Sequence, residues 1–336
     1  MLNLAELKEI LAQPKNIVIT THHKPDGDAL GSSLGLWHYL KQKQHHVQVI
    51  TPTDYPNFLA WMPGNSEVII YTEKKELSAD LIANADLVFC LDFNALSRIN
   101  DLGELVRVSS ARKIMIDHHL DPENFDDFRH WNTQACSAAQ LVYEFIAELL
   151  DDKNSIDADV ATCLYTGIMT DSGSFRFPNT TANVHRITAD LIDLGADNAA
   201  IHQAVYDHAS ENRLRFLGYC LSNKLEVLHE YNTALITVNK EELKQFDSNT
   251  GDTEGVVNYA LSIDGVRLAA FIVERTDKIK LSLRSTGTFP ANEICKNYFH
   301  GGGHRNAAGG QSEDTFEQVI NRFKSLLPEY KNLLTQ

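Results

Sequence analysis

Over its first two-thirds the chain alternates short β-rich runs with helical segments, and that rhythm admits few folds. NIVITT (16–21), HVQVIT (46–51), DLVFCLD (86–92) and KIMID (113–117) read as buried strands. Helical periodicity covers 27–43, 137–150, 157–169 and 181–195. Strands separated by helices predict an α/β domain, a doubly wound and mostly parallel sheet with helices on both faces. In helix 27–43, Leu30, Leu34 and Trp37 share one face, and Gly31 and Gly35 let a neighbour come close. Gly195 suits the C-terminal cap of helix 181–195. The opening MLNLAELKEILAQPKN has apolar residues at helical spacing broken by Glu6, Lys8 and Glu9, which reads as a first helix and not a signal peptide.

Around DHASENR (207–213) the pattern turns polar, and a new helix is expected over 214–228. Strand-like runs follow at 234–239, 266–275 and 278–285, then the glycine-rich HGGGHRNAAGG (300–310) and a last helix at 314–327. A chain of 336 residues suits two domains. The expected division is 1–207, a linker at 208–213, and a smaller α/β domain over 214–336.

The formal charge is −15, from 45 acidic against 30 basic residues, which leaves no basic track for long DNA or RNA. Short nucleic acid stays open, because carboxylates that hold cations count as bare negatives in that sum. Cys90, Cys136, Cys163, Cys220 and Cys295 are odd in number and form no CxxC pair, which points to reduced thiols and a cytoplasmic setting. No run of about 18 apolar residues suggests a membrane span.

Four separated segments carry the chemistry, and three of them directly follow a predicted strand, where ligands of open α/β sheets bind. THHKPDGDALGSS (21–33) offers His22, Asp26 and Asp28, with Gly27 expected to let the loop bend sharply. LDFNALSRI (91–99) offers Asp92 at the end of a buried run. MIDHHLDPENF (115–125) offers Asp117, His118 and His119, where one imidazole can bind metal while the other faces substrate. In YTGIMTDSGSFRFPNT (165–180) a helix runs into Asp171. Each has a plainer reading alone: Asp28 as a helix-N-terminal carboxylate, Asp92 as an exposed strand end, His118-His119 as an incidental pair, and Asp171 as a partner for its own loop's amides. Together His22, Asp26, Asp28, Asp92, His118 and Asp171 make a mixed oxygen and nitrogen donor set suited to Mn²⁺, with Mg²⁺ or Co²⁺ also acceptable. The set is too rich for one ion, and two ions about 3.5–4 Å apart can engage both oxygens of a phosphoryl displacement.

In the second domain GGGHRNAAGG has five glycines in ten residues, so its backbone can approach a phosphate and present N–H donors. His304 and Arg305 add donors, and Arg284 can clamp a phosphate through two N–H groups. The plainer reading is a flexible loop joining a strand to a helix.

PDGDALGSS, LDFNALSRI, IDHH and TDSGSFRFPNT, in this order, resemble the four motifs of the DHH phosphoesterase superfamily, and GGGHRNAAGG resembles the glycine-rich signature of its DHHA1 accessory domain. The resemblance spans nearly the whole chain, and the two-domain size is similar to the bifunctional oligoribonuclease (nanoRNase) and pAp phosphatase group. It implies that His22 and Asp26 hold one divalent cation, that Asp28, His118 and Asp171 hold a second, and that Asp92 bridges them. It implies His119 on the substrate side as an electrostatic or general-acid group, Asp117 behind it, and Arg284, Gly302, Gly303, His304 and Arg305 on the substrate. The implied activity is hydrolysis of oligoribonucleotides a few nucleotides long, of 3′-phosphoadenosine 5′-phosphate (pAp), or of both, in a soluble enzyme that admits a homodimer. A family II pyrophosphatase would lack the glycine-rich segment. A cyclic-dinucleotide phosphodiesterase would carry membrane and sensory segments, though the linear dinucleotides derived from cyclic ones remain an alternative substrate. A single-strand DNA exonuclease would be larger. A non-catalytic nucleotide-binding module is set against six intact ligand groups, and a metal-dependent hydrolysis assay separates the two.

Overall fold

Strand β1 (Asn16–Thr21) is apolar on both faces, as a central parallel strand must be, and everything in the first unit is arranged around it. The computed structural model describes residues 3–207, 209–247 and 251–336. The chain divides into two compact units, Met1–His208 and Ala209–Gln336.

In the first unit α1 (Leu4–Leu11) precedes β1, and α2 (Gly27–Gln42), β2 (His46–Thr51), β3 (Ile69–Ile70), α3 (Lys75–Ala83) and β4 (Leu87–Leu91) follow it. Then come α4 (Leu102–Val108), β5 (Arg112–Asp117), β6 (Phe128–Trp131), α5 (Ala138–Glu144), α6 (Ala158–Asp171), α7 (Ala182–Asp193) and α8 (Asn198–Tyr206). Among the described residues the strands form one sheet in the order β3-β2-β1-β4-β5-β6, every pairing parallel. The order reverses between β1 and β4, which opens a crevice at their carboxyl ends. One face packs Ile17, Ile19, Phe89, Ile114 and Ile116 against α2, α5 and α6; the other packs Val18, Val88 and Cys90 toward α3 and α4.

Helices α2 and α6 come together along a stripe of glycines. A Cβ at Gly31 would lie 2.5 Å from the Cys163 carbonyl oxygen, and one at Gly35 would lie 2.7 Å from the Leu164 side chain. Gly27 belongs to the same stripe: its Cβ would lie 2.4 Å from Thr170 Oγ1. It is the first residue of α2, so the sharp bend expected of it gives way to a packing role beside Asp171. Gly195 (φ +112°) closes α7 as expected, with its N–H on Ile192 O and that of Ala196 on Leu191 O.

The second unit contains α9 (Glu211–Tyr219), β7 (Leu225–Leu228), β8 (Thr233–Val238), α10 (Lys240–Gln245), α11 (Val256–Leu261) and β9 (Leu268–Glu274). After these come β10 (Ile279–Ser285), α12 (Ala291–Tyr298), β11 (Gly302–His304), β12 (Ala307–Ser312) and α13 (Phe316–Leu334). Its sheet runs β11-β12-β10-β9-β8-β7, with β8 and β9 parallel and the other pairs antiparallel. Leu235, Ala270, Leu281 and Leu283 share a core with Ile294 of α12 and Phe323 of α13.

Residues 211–213, expected as linker, are instead the first turn of α9, because Ser210 caps it by accepting from Arg213 N–H; His208 lies outside the described residues. The helix expected over 214–228 passes through a π-turn at Cys220–Lys224 and gives way to β7, which pairs with β8. The last helix does not stop before Pro328. It runs through to Leu334, since buried Leu326, Leu327 and Leu334 hold both sides of the missing N–H in the core.

Candidate metal centre and active site

Each of the first three segments leaves its strand and turns at once into the crevice. After β1, the Nδ1–H of His22 donates to His23 O (3.0 Å), which turns Nε2 toward Asp26 Oδ1 (3.9 Å) and Asp92 Oδ2 (3.4 Å). Asp26 is the N-cap of α2. Its Oδ1 accepts from the amides of Asp28 and Ala29, which fixes a carboxylate whose side chain stays 52% exposed.

Asp92 follows β4 with a left-handed backbone (φ +62°), a conformation Asp tolerates better than most residues. Its N–H still pairs with Ile116 O (3.1 Å), so the side chain is aimed by the sheet itself. That side chain is 3% exposed, and Oδ1 is buried without an aligned hydrogen bond although His118 Nε2 is 3.3 Å away. An ionised oxygen left so would cost several kcal/mol unless a cation met it.

After β5, His118 and His119 point different ways. His118 Nδ1–H donates to Ala135 O (3.3 Å), and Nε2 sits 3.3, 3.6 and 3.9 Å from oxygens of Asp92, Asp171 and Asp28. His119 Nδ1–H donates to Asp117 Oδ1 (2.8 Å), an acceptor that is fully buried. That bond fixes the imidazole's tautomer and its orientation.

Asp28 and Asp171 arrive on the two helices joined by the glycine stripe. Asp28 accepts from the amides of Ala138 (2.6 Å) and Ala139 (2.9 Å), so the N-terminus of α5 faces its carboxylate. Gly167 admits it, since a Cβ there would lie 2.9 Å from Asp28 Oδ1. Asp171 is the last residue of α6, where a negative charge opposes the helix dipole. In the loop after it, Ser172 Oγ accepts from Phe175 N–H (3.0 Å).

Ligand atoms of His22, Asp26 and Asp92 lie within 4.8 Å of one another, and so do those of Asp28, Asp92 and His118. The two triads share Asp92, and Asp171 joins the second through His118. Among the described residues no lysine or arginine pairs with Asp26, Asp28, Asp92 or Asp117. Burial and the negative charges of Asp92 and Asp171 push the Asp28 carboxyl well above its ordinary pKa. Burial works in the same direction on Asp92, but nearby His118 and His22 outweigh it and hold Asp92 well below. Burial acts to lower His118, yet Asp92, Asp171 and Asp28 hold it well above the ordinary imidazole value. Crowded carboxylates with an orphaned oxygen, faced by two imidazole nitrogens, fit two divalent cations. Burial and, more weakly, the positive charge of Arg98 act to lower His22, yet Asp92 and Asp26 hold its imidazole above the ordinary value; the Arg98 carbonyl accepts from His23 N–H (2.9 Å).

In the second unit the glycine-rich segment is a β-hairpin and not a loose loop. Its strands β11 and β12 pair Gly302 with Gly309 and His304 with Ala307, and Arg284 of β10 also pairs with Ala307. Paired residues share a sheet face, so Arg284 and His304 flank Ala307 on one row. A Cβ at Gly302 would meet nothing within 4 Å, whereas one at Gly303 (φ +134°) would lie 2.6 Å from Ala307 O. Exposed Arg305 occupies the turn with Asn306, whose side-chain amide donates to Ser285 Oγ, Gly287 O and Phe289 O.

The profile of the DHH family's N-terminal domain matches residues 16–168, and that of the DHHA1 domain matches 232–332. The bifunctional oligoribonuclease and PAP phosphatase NrnA of Thermus thermophilus is 32% identical over 96% of this chain and 93% of its own length. This chain belongs to the DHH family of phosphoesterases. The NrnA protein of Bacillus subtilis is 26% identical over 97% of this chain and 99% of its own. The crystal structure of an exopolyphosphatase-related protein from Bacteroides fragilis superposes with a TM-score of 0.95 at 42% identity, over 99% of this chain and 97% of that one.

The four DHH motif segments are therefore brought together as the sequence led one to expect, with Asp117 buried behind His119. Sequence reasoning overlooked the groups that hold the DHH motifs in place. These are the α5 amides on Asp28, Ala135 O on His118, and Gly167 and Thr170 at the helix contact. One signal was available: Ser137 and Gln140 have capping spacing, and Gln140 N–H does donate to Ser137 Oγ (3.0 Å). Among the described residues no helix of this DHH protein is long and apolar enough to cross a membrane.

Proposed function

We propose that this phosphoesterase hydrolyses small nucleotide substrates, namely pAp, oligoribonucleotides a few nucleotides long, or both, with two divalent cations and Mn²⁺ foremost. The observation that carries the reading is the pair of donor triads meeting at Asp92 with the His119–Asp117 pair alongside. The NrnA relatives, named for oligoribonuclease and PAP phosphatase activity, support the substrate class.

In this reading His22 and Asp26 hold one ion, Asp28, His118 and Asp171 the other, and Asp92 both. Such ions supply Lewis-acid polarisation of the phosphoryl group and activation of water. The chain supplies the rest. The α5 amides keep Asp28 aimed inward, and the His22 and His118 rings are locked by their Nδ1–H bonds to backbone carbonyls. His119 delivers a proton from Nε2 to the departing oxygen, because Nδ1 is engaged by Asp117, which holds the ring in place. Arg284, Gly302, Gly303, His304 and Arg305 bind the substrate's phosphate or nucleotide end, a role supported by the shared row of Arg284 and His304 and by the open backbone at Gly302. The charge of −15 disfavours long strands. The five free, buried cysteines support a cytoplasmic setting.

The test is one side-by-side assay of pAp, a 5′-phosphorylated dinucleotide and a long single-stranded RNA, with Mn²⁺ and with Mg²⁺. The reading expects kcat/KM to favour pAp or the dinucleotide over the long RNA by at least about a hundredfold, some 2.7 kcal/mol. Equal efficiency on all three, or hydrolysis of none, rules it out.

A further inference from the structure

Trp131 is the last residue of β6, in register with Asp117 at the end of β5. Paired residues of neighbouring strands share a sheet face, so both side chains leave the sheet on the same side. Both then engage the same residue. The Asp117 carboxylate accepts from the His119 ring, and the Trp131 indole Nε1–H donates to His119 O (2.8 Å). A tryptophan bonded in this way has its polar atom satisfied and its ring orientation fixed, yet Trp131 remains 40% exposed. Leu120, directly after His119, is 43% exposed. Single exposed apolar residues need no explanation. Here two adjoin His119, the residue whose imidazole the proposed reaction uses, and one is an aromatic ring held by its N–H.

From this juxtaposition we propose that Trp131 is a nucleobase platform, stacking on the base of the nucleotide whose phosphate lies at the metal centre, with Leu120 extending the apolar surface. The inference rests on the nucleotide-hydrolase reading above and deepens it. An aromatic ring held in advance loses little entropy on stacking, and it accepts any base because every base has a π face. It would distinguish a nucleotide from phosphate compounds without a base, which the metal centre alone cannot do.

The experiment compares wild type, Trp131→Phe and Trp131→Ala on a 5′-phosphorylated dinucleotide and on the same compound lacking one base. It also follows the Trp131 indole ¹⁵N–¹H resonance of the intact protein in Mg²⁺ while AMP is added. The ratio of kcat/KM for the complete over the base-less substrate should fall about tenfold or more in Trp131→Ala. It should stay within about threefold in Trp131→Phe, which keeps a ring but loses the bond to His119 O. AMP should shift the indole resonance upfield. An unmoved resonance, an unchanged ratio in Trp131→Ala, or an equal fall in Trp131→Phe overturns the proposal, the last because it would make the indole N–H bond and not the ring face the important feature. The resonance reads binding without turnover. Nucleotide hydrolysis with a silent indole therefore defeats only the platform, and a shifted indole without any nucleotide hydrolysis defeats only the enzymatic reading.

Discussion

The first unit's Asp92 cluster and the second unit's Glu242 pocket treat buried charge in opposite ways. In the second, Glu242 receives Lys224 Nζ (2.8 Å), Tyr219 OH (2.6 Å) and the Asn239 N–H (2.8 Å), and these partners outweigh burial to hold its carboxyl below the ordinary value. In the first, Asp28, Asp92 and Asp117 are more deeply buried, and no lysine or arginine among the described residues pairs with any of them. A chain that pairs Glu242 with Lys224, and the buried Asp126 carboxylate of the first unit with Arg129, has gathered Asp28, Asp92 and Asp117 around an orphaned oxygen. The difference teaches where a cation from outside the sequence is needed: where the protein's own cations are withheld.

Asp92→Asn should break the contrast most severely. A carboxylate shared by two triads serves both ions, so kcat/KM should fall roughly a thousandfold or more and both ions should be lost. Asp28→Asn should lose one ion, and equal loss of a single ion in the two variants would show the bridge to be misassigned. His119→Ala should keep its metal by elemental analysis while kcat falls about a hundredfold to ten-thousandfold; metal loss in that variant would place His119 among the ligands. Arg284→Ala should raise KM for a phosphate-ended dinucleotide about tenfold, the worth of one charge-assisted hydrogen bond, with metal content unchanged. Unaltered KM would take Arg284 off the substrate.

The smallest effect belongs to the paired charge. Glu242→Gln should cost about 1 kcal/mol of stability by denaturant titration and leave metal binding untouched. Its folded pKa is depressed, so the contribution is present above the ordinary Glu value and is lost as pH falls through the folded one. The difference between wild type and Glu242→Gln should therefore vanish in acid. A difference that persists there would mean packing, not charge, is what Glu242 provides.

The apolar runs 16–21, 86–92 and 113–117 were legible as strands because parallel strands are buried on both faces, and their polar ends marked the centre. Edge strands were not legible: β3 is two residues long, and β6 reads FRHW with only Phe128 buried. Trp131 went unseen for that reason, since its relation to His119 depends on the register of β6 on β5. Gly27 was legible as necessary but not as to why, because the Thr170 it meets is far away in sequence. The glycine-rich segment spelled backbone exposure correctly. Its hairpin was hidden, because glycines at 301, 303 and 310 serve close packing of chain on chain and carry no strand periodicity.

The central claim is that the Asp92 cluster holds two divalent cations on which the activity depends. Its most direct test is Mn²⁺ bound per chain, measured by equilibrium dialysis and elemental analysis on chelator-treated protein, with hydrolysis of pAp and of a 5′-phosphorylated dinucleotide followed in the same samples. The account predicts two ions per chain, no activity in the metal-free protein, and recovery that follows the filling of both sites. Full activity in protein verified to be metal-free, or full recovery with a single ion bound, would contradict it.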